Sequence, residues 1–446
     1  MKIKVIDKKY SDVIAIERKK HKKPIRPNMF FRTLLKLVAL PDLIETGFKV
    51  TRIGMEKVGK KEPCLVIMNH SSFIDLEIVS SVLYPRPFNI VATTDAFIGK
   101  ELLMRLIGCV PTTKFTSDPT LVRDIIYTVK KLRSSVVIFP EAGYSFDGTA
   151  TVMPDTLSRL AKMLNIPVVS IHTDGAFLRD PLYNNLQKRK VKVSATEKLL
   201  LSASDVEKMS AEEIQEIISR EFDFDAFAWQ KENRIKIDEP FRADGLNRVL
   251  YKCPHCLAEG KMIGLGTDIT CGACGVKYTL DEYGYLVREG GEAKFDHIPD
   301  WYEWERECVK EELLSGEYRL DLPVEIMMTV DTKAFYRVGD GRLVHTVEGF
   351  HLTGCDGEIN YEQKPLASYT VCADFNFYEI GDVIAIGTHE KLYYCFPKTE
   401  GDVVAKARLA TEELYKLVSK EHDRNTGEDV IQKLKQLSEE KARKKT

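Results

Sequence analysis

Between residue 63 and about residue 200, short continuous apolar runs alternate with longer amphipathic stretches. Cys64-Leu65-Val66-Ile67-Met68, Phe88-Asn89-Ile90-Val91-Ala92, Val136-Val137-Ile138-Phe139 and Val168-Val169-Ser170-Ile171 lack polar alternation, as strands covered on both faces require. Leu76 to Leu83, Ile98 to Ile107, Leu121 to Leu132 and Leu157 to Leu164 have helical spacing. The pattern predicts an α/β domain over residues 61–245, with its chemistry on the loops at the strand ends.

The flanking regions differ in character. Within 1–60, the basic residues Arg18, Lys19, Lys20, Lys22, Lys23 and Arg26 precede a helix-forming stretch. In that stretch Phe30, Leu34, Leu37 and Val38 share a face. Two readings stay open: a helix lying on an anionic membrane, or one packed on the domain behind it. Residues 246–290 hold two cysteine pairs, and 291–322 read as a helical linker. Residues 323–421 form a β-rich module with turns at Gly339-Asp340-Gly341 and Asp356-Gly357 and a closing helix through Val403, Val404, Ala407, Ala410, Leu414, Leu417 and Val418. Residues 422–446 are a charged tail expected to fray.

Composition narrows the picture. The 446 residues suggest about three domains, and 65 basic against 67 acidic side chains leave a net charge of -2. A surface that tracks nucleic acid throughout is therefore not expected. No run of eighteen apolar residues predicts a spanning helix, and no apolar core follows Met1-Lys2-Ile3-Lys4 as a secretory signal would need. Ten cysteines, four of them in CxxC pairs, point to a reducing cytoplasm and a bound metal.

Asn69-His70-Ser71-Ser72-Phe73-Ile74-Asp75 directly follows the first buried run. On one straight helix, positions five apart are rotated by roughly 140° and do not meet. They meet if His70 lies in the loop and Asp75 in the first helical turn, with Ser71 or Ser72 capping the helix. Asp75 then holds one imidazole nitrogen and leaves the other free to take a proton. A structural histidine satisfied by a carboxylate is the competing account. Downstream, Phe139-Pro140-Glu141-Ala142-Gly143-Tyr144-Ser145 runs from a buried strand into a turn with a carboxylate and hydroxyls, suited to an anionic or hydroxylated substrate. Between the two, Gly108-Cys109-Val110-Pro111-Thr112-Thr113-Lys114 reads as a helix stop and a loop whose Lys114 can hold a phosphate as a point charge.

In this order the motifs resemble those of the lysophospholipid, or glycerolipid, acyltransferase family, the PlsC type. NHSSFID is similar to its NHx4D motif, GCVPTTK sits where its second motif lies, FPEAGYS resembles FPEGTRS, and Ile166-Pro167-Val168-Val169 is similar to its apolar-Pro motif. The resemblance covers roughly residues 30–200. It implies transfer of a fatty acyl group from an acyl thioester, acyl-CoA or an acyl-carrier-protein, to a hydroxyl of a lysophospholipid or glycerol-phosphate-type acceptor. His70 would be the general base and Asp75 its orienting partner. Lys114, Glu141, Ala142, Gly143 and Tyr144 would bind substrate, and the hydroxyl would attack the thioester with no acyl-enzyme. The enzyme would sit on the inner face of the membrane. Where the family has arginine, this chain has Tyr144, and where its second motif ends in arginine there is only Lys114. Neither reproduces a bidentate grip on phosphate. A rival is a lipid-binding protein that kept the fold and lost catalysis, and another is an acyltransferase for a non-lipid acceptor.

Cys253-Pro254-His255-Cys256 and Cys271-Gly272-Ala273-Cys274 are separated by fourteen residues. Four thiolates at this spacing predict a closed structural Zn2+ ribbon, with Gly272 and Gly275 easing the turns around sulfur and His255 at the surface. Such ribbons also serve nucleic-acid binders. Here the neighbouring Arg242, Arg248, Lys252 and Lys261 are countered by Glu259, Asp268, Asp281 and Glu282, so no nucleic-acid partner is expected. The β-rich segment and its helix vaguely resemble a pleckstrin-homology-like module. The remaining cysteines, Cys64, Cys109, Cys308, Cys355, Cys372 and Cys395, are assigned to packing or the surface.

Overall fold

The computed structural model describes residues 3–17, 20–116, 118–141, 143–151, 153–154, 156–399, 401–422 and 431–439. Arg18 and Lys19 of the basic cluster, Ala142, and residues 423–430 and 440–446 of the charged tail lie outside them; residues 431–439 of that tail, expected to fray, are helical because Leu434 is buried in the core. The leading strand, β1 (Val5–Asp7), pairs in parallel with a strand of the C-terminal sheet.

A seven-stranded mixed sheet follows: β2 (Lys49–Ile53), β3 (Leu65–Met68), β4 (Phe88–Thr93), β5 (Cys109–Thr112), β6 (Ser135–Ile138), β7 (Val168–Asp174) and β8 (Ser194–Leu201). Their order is β2-β8-β7-β3-β6-β4-β5, with only the β7–β8 pair antiparallel. β3 lies at the centre and all four of its residues are buried. Alternation along the run sends Val66 and Met68 to one face, against helices Met29–Glu45 and Asp75–Val82. Leu65 and Ile67 go to the other, with Ile125, Leu157, Ile214 and Ile218 from three further helices. Apolar cover on both faces is what a run without polar alternation demands.

Two local expectations are corrected. Gly108 does end a helix, but the chain turns at once into β5 instead of a loop. Pro111 lacks an N–H, which disguises a strand in sequence; β5 tolerates it because it is the edge of the sheet. Gly108 has φ +97°, and a Cβ there would lie 2.6 Å from Pro27 and 2.9 Å from the Phe88 carbonyl, so only glycine fits. The second correction concerns Met29–Glu45, which presents Phe31, Leu35, Ala39 and Leu43 to the core. The predicted face instead points outward, with Phe30 67%, Leu37 57% and Val38 66% exposed.

The expected segment boundaries are also crossed. The first sixty residues supply β1 to one sheet and β2 to another, so they are not a separate unit. The predicted linker contains Ile298–Ser315, a core helix that buries Trp301, Val309 and Leu313 and packs on the C-terminal helix Val404–His422, with Trp301 turned to Tyr278 and the Lys252 carbonyl of the cysteine segment.

β9 (Met262–Leu265), β10 (Asp268–Cys271), β11 (Lys277–Leu280) and β12 (Leu286–Arg288) form the small antiparallel sheet of the cysteine segment. The C-terminal sheet comprises β13 (Leu320–Met328), β14 (Phe335–Thr346), β15 (Gly349–Gly354), β16 (Ile359–Gln363), β17 (Cys372–Phe377), β18 (Gly381–Gly387) and β19 (Leu392–Pro397). Its order is β16-β15-β14-β13-β19-β18-β17: an antiparallel meander whose last strand returns to its first. It packs on the mixed sheet near β4. The Tyr378 hydroxyl donates to Asp95 at 2.8 Å, and the Gly99 N–H donates to the Thr332 carbonyl at 2.8 Å.

Candidate active site and metal centre

His70 leaves the C-terminal end of β3, where parallel strands carry their functional loops. Its Nδ1 lies 2.9 Å from Asp75 Oδ2. An ionised carboxylate only accepts, so Nδ1 carries the proton and Nε2 is left as an acceptor. The same Oδ2 accepts from the Ser71 and Ser72 N–H groups at 2.8 and 3.1 Å. This reverses the expected capping: Asp75 satisfies the loop's orphan amides, and neither serine side chain caps the helix, whose N-cap is Ile74. Asn69 ties the loop to β7, its Oδ1 accepting from the Thr173 N–H at 2.9 Å and hydroxyl at 3.1 Å.

The second motif meets the first. The His70 N–H donates to Glu141 Oε1 at 2.9 Å, and the Thr151 hydroxyl donates to Oε2 at 3.1 Å. Burial pushes the Glu141 carboxyl up to about 7, against these two hydrogen bonds, which act to lower it. The imidazole lies between two rings, with centroids 4.3 Å from Phe139 and 4.2 Å from Tyr144. The Phe139 ring stacks at 25° to the imidazole plane and the Tyr144 ring is tilted by 34°. Burial also holds the Tyr144 phenol neutral, well above its usual range.

His70, Asp75, Glu141 and Tyr144 therefore form one group. Gly143 makes no close approach, since a Cβ there would meet nothing nearer than 4.0 Å, and Ala142 is not described. Lys114 faces the C-terminal sheet. Desolvation acts against its charge, but Cys372, Asp374 and Asp95 offset this and hold its pKa above the usual lysine value. A cavity of about 300 Å³ adjoins Ser71 and is lined by His172, Asp174, Phe224, Asp225, Trp229 and Glu232 among others. No lysine or arginine is among its described lining residues, and neither is His70.

Residues 49–173, which contain both motifs, match the family model described as Acyltransferase. This stretch is an acyltransferase-family domain. The chain is also similar to the crystal structure of the 1-acyl-sn-glycerophosphate (LPA) acyltransferase, PlsC, from Thermotoga maritima. That similarity has 16% identity over 43% of this chain and 76% of that one, with a TM-score of 0.34. No curated protein matches the chain.

Sequence reasoning about the acyltransferase domain missed Thr151 as a partner of Glu141 and the ring of Phe139 as a neighbour of the histidine. Phe139 was visible as the last residue of its apolar run. Thr151, ten residues from Glu141, has no local signal.

The four cysteines converge downstream of this domain. Their Sγ atoms all lie within 4.8 Å of one another, with Cys253 to Cys274 at 3.8 Å and Cys256 to Cys271 at 3.7 Å. A tetrahedron with zinc–sulfur bonds of about 2.3 Å has edges of about 3.8 Å, so this cluster can hold a metal such as zinc. Gly275 has φ +75° and lets its N–H reach the Cys271 carbonyl at 2.8 Å; Gly272 needs no such conformation. His255 is exposed and outside the cluster.

The segment is held to the helices by a square of charge. Lys252 lies 3.1 Å from Glu259 and 3.3 Å from Glu312, and Lys406 lies 2.7 Å from each.

The buried Glu141 carboxyl has a consequence for stability. It keeps its proton to about pH 7 when folded, against 4.5 for the ordinary group. The unfolded chain therefore binds fewer protons across that window, and stability falls as pH rises through it, by roughly 3 kcal/mol when complete. Glu141→Gln should lose this dependence. Thermal midpoints measured across the window should fall more steeply for wild type than for the variant, and parallel curves would contradict the assignment.

Proposed function

We propose that the protein is a peripheral membrane acyltransferase that moves a fatty acyl group from an acyl thioester, acyl-CoA or acyl-carrier-protein, to a hydroxyl of a lysophospholipid or glycerol-phosphate-type acceptor. The observation that carries this reading is the 2.9 Å bond from His70 Nδ1 to Asp75 within a domain of the acyltransferase family. His70 Nε2 takes the acceptor's hydroxyl proton while the oxygen attacks the thioester carbonyl. The tetrahedral intermediate collapses, the carbon–sulfur bond breaks, and the departing thiolate receives the proton. Asp75 stabilises the imidazolium formed in between. Glu141 fixes the histidine backbone and, with Gly143 and Tyr144, borders the acceptor. Thioester consumption by purified protein with a lysophospholipid acceptor tests this. Acceptor-dependent thiol release supports it, and lysolipid binding without turnover would favour the lipid-binding rival.

A second acceptor class is favoured by the surroundings of Lys114: Asp374 and Asp95 act electrostatically on its ammonium and favour its charged form without any phosphate. An acceptor without phosphate at that position, a simple alcohol included, fits this electrostatics better. Running the same assay with lysophospholipid, glycerol phosphate and uncharged alcohols separates the two.

Membrane association is supported by the outward face of Met29–Glu45; Phe73 in the His70 loop is also exposed. No described helix is long and apolar enough to cross a bilayer, whereas an interfacial helix needs only such a face. Leu37→Asp with Val38→Asp should weaken binding to anionic liposomes at least about tenfold, with an unchanged melting temperature because both side chains are exposed. Undiminished co-sedimentation would refute the surface. The four-cysteine segment is read as a structural zinc ribbon. The strand order of the C-terminal sheet with its closing helix supports the pleckstrin-homology-like reading of that module.

A further inference from the structure

The third motif carries Tyr144 where the family it resembles has arginine, yet a guanidinium reaches this loop from elsewhere. Arg408 lies on the C-terminal helix, 264 residues downstream, and is 7% exposed. Its Nη1 donates to the Tyr144 carbonyl at 3.3 Å, and its guanidinium carbon lies 4.4 Å from the centre of the Phe146 ring. It therefore grips both neighbours of Ser145. The arginine is itself anchored: Nε donates to Glu412 at 3.1 Å, and Glu412 also accepts from Arg306 at 2.8 Å and from Thr370 at 2.9 Å. Three separate parts of the C-terminal half thus fix one guanidinium on the loop whose tyrosine covers the His70 ring. The sequence between the motifs does not supply this fixture.

We propose that Arg408 is a positioning residue for acyl transfer. By holding the Tyr144 carbonyl and the Phe146 ring, it seats the Glu141–Ser145 loop against His70, so the C-terminal helix completes a site whose chemistry lies in the first domain. Arg408 touches no reacting atom; it acts through the loop. The inference rests on the acyl-transfer reading above.

Steady-state kinetics on the full-length, metal-loaded protein test it. Misplacing a catalytic loop by about 1 Å costs about 10²-fold, so Arg408→Met should lower kcat by that order while the KM for the thioester stays within threefold. Arg408→Lys keeps a charge and a donor for the Tyr144 carbonyl, and should recover most of the loss. Phe146→Leu removes the ring beneath the guanidinium and should lower kcat in the same direction. That variant decides the matter if Arg408→Met does not fold. Wild-type kcat in a folded Arg408→Met, or in Phe146→Leu when the former is unfolded, overturns the inference. An inactive wild type would instead strike the acyl-transfer reading itself.

Discussion

Replacing His70 with alanine is expected to lower acceptor-dependent acyl transfer by roughly 10²–10⁴-fold, the usual contribution of a positioned base, without unfolding the protein. Its imidazole makes one side-chain hydrogen bond and is packed between two rings, whereas its backbone N–H, which secures the loop to Glu141, survives the substitution. Asp75→Asn separates charge from geometry. Asp75 Oδ2 takes all three donors, from His70, Ser71 and Ser72, while Oδ1 is buried without a partner. An asparagine can place its oxygen at the first position and its amide at the second, keeping the loop but losing the negative charge. Its activity should therefore lie between wild type and His70→Ala. Full retention of activity by Asp75→Asn would remove the carboxylate from the mechanism, and full retention by His70→Ala would remove the histidine.

Loss of the metal should have the largest effect on stability. Structural zinc in small domains contributes roughly 10–16 kcal/mol of apparent binding free energy, which is also folding free energy. Cys271→Ser, or extraction with a strong chelator, is expected to unfold the strands β9–β12 and to release one zinc per chain. The damage should spread. Lys252 and Glu259 flank the first cysteine pair and bond Glu312 and Lys406, so a disordered ribbon removes half of the square and leaves Glu312 and Lys406 only each other. Lys406 lies two positions before Arg408, about 200° around the same helix, which puts the ribbon on one side of that helix and the Tyr144 loop on the other. Chelation should thus depress acyl transfer although no cysteine is near His70. Metal analysis, circular dichroism and activity on one preparation check this. A zinc-free protein with an unchanged melting temperature would contradict it.

The parts legible in sequence were those that depend on neighbours along the chain. Buried runs without polar alternation marked β3, β4, β6 and β7, because a strand covered on both faces has no polar side to show. The histidine and aspartate came together across one strand-to-helix turn, a short-range matter of loop against helix. The cysteines were legible because metal coordination imposes its own spacing. What stayed hidden depends on partners far away. Met29–Glu45 has two apolar stripes, and the one that faces the core is decided by Asp75–Val82 beneath it. β1 crosses to a strand more than three hundred residues later, with Val5 beside Phe335. The electrostatic surroundings of Lys114 come from Cys372, Asp374 and Asp95, two of them more than 250 residues away, which no local pattern announces. Arg408 sits between Ala407 and Leu409, both fully buried, and a lone arginine at a buried helical position is the one local sign that it meets something specific.

The most direct test is thiol release from an acyl thioester by purified wild type and His70→Ala, each with and without a lysophospholipid. Acceptor-dependent release by wild type that falls to background in the variant is the predicted result. Equal release by the two proteins, or release indifferent to any hydroxyl acceptor, would contradict a histidine-based acyl transfer.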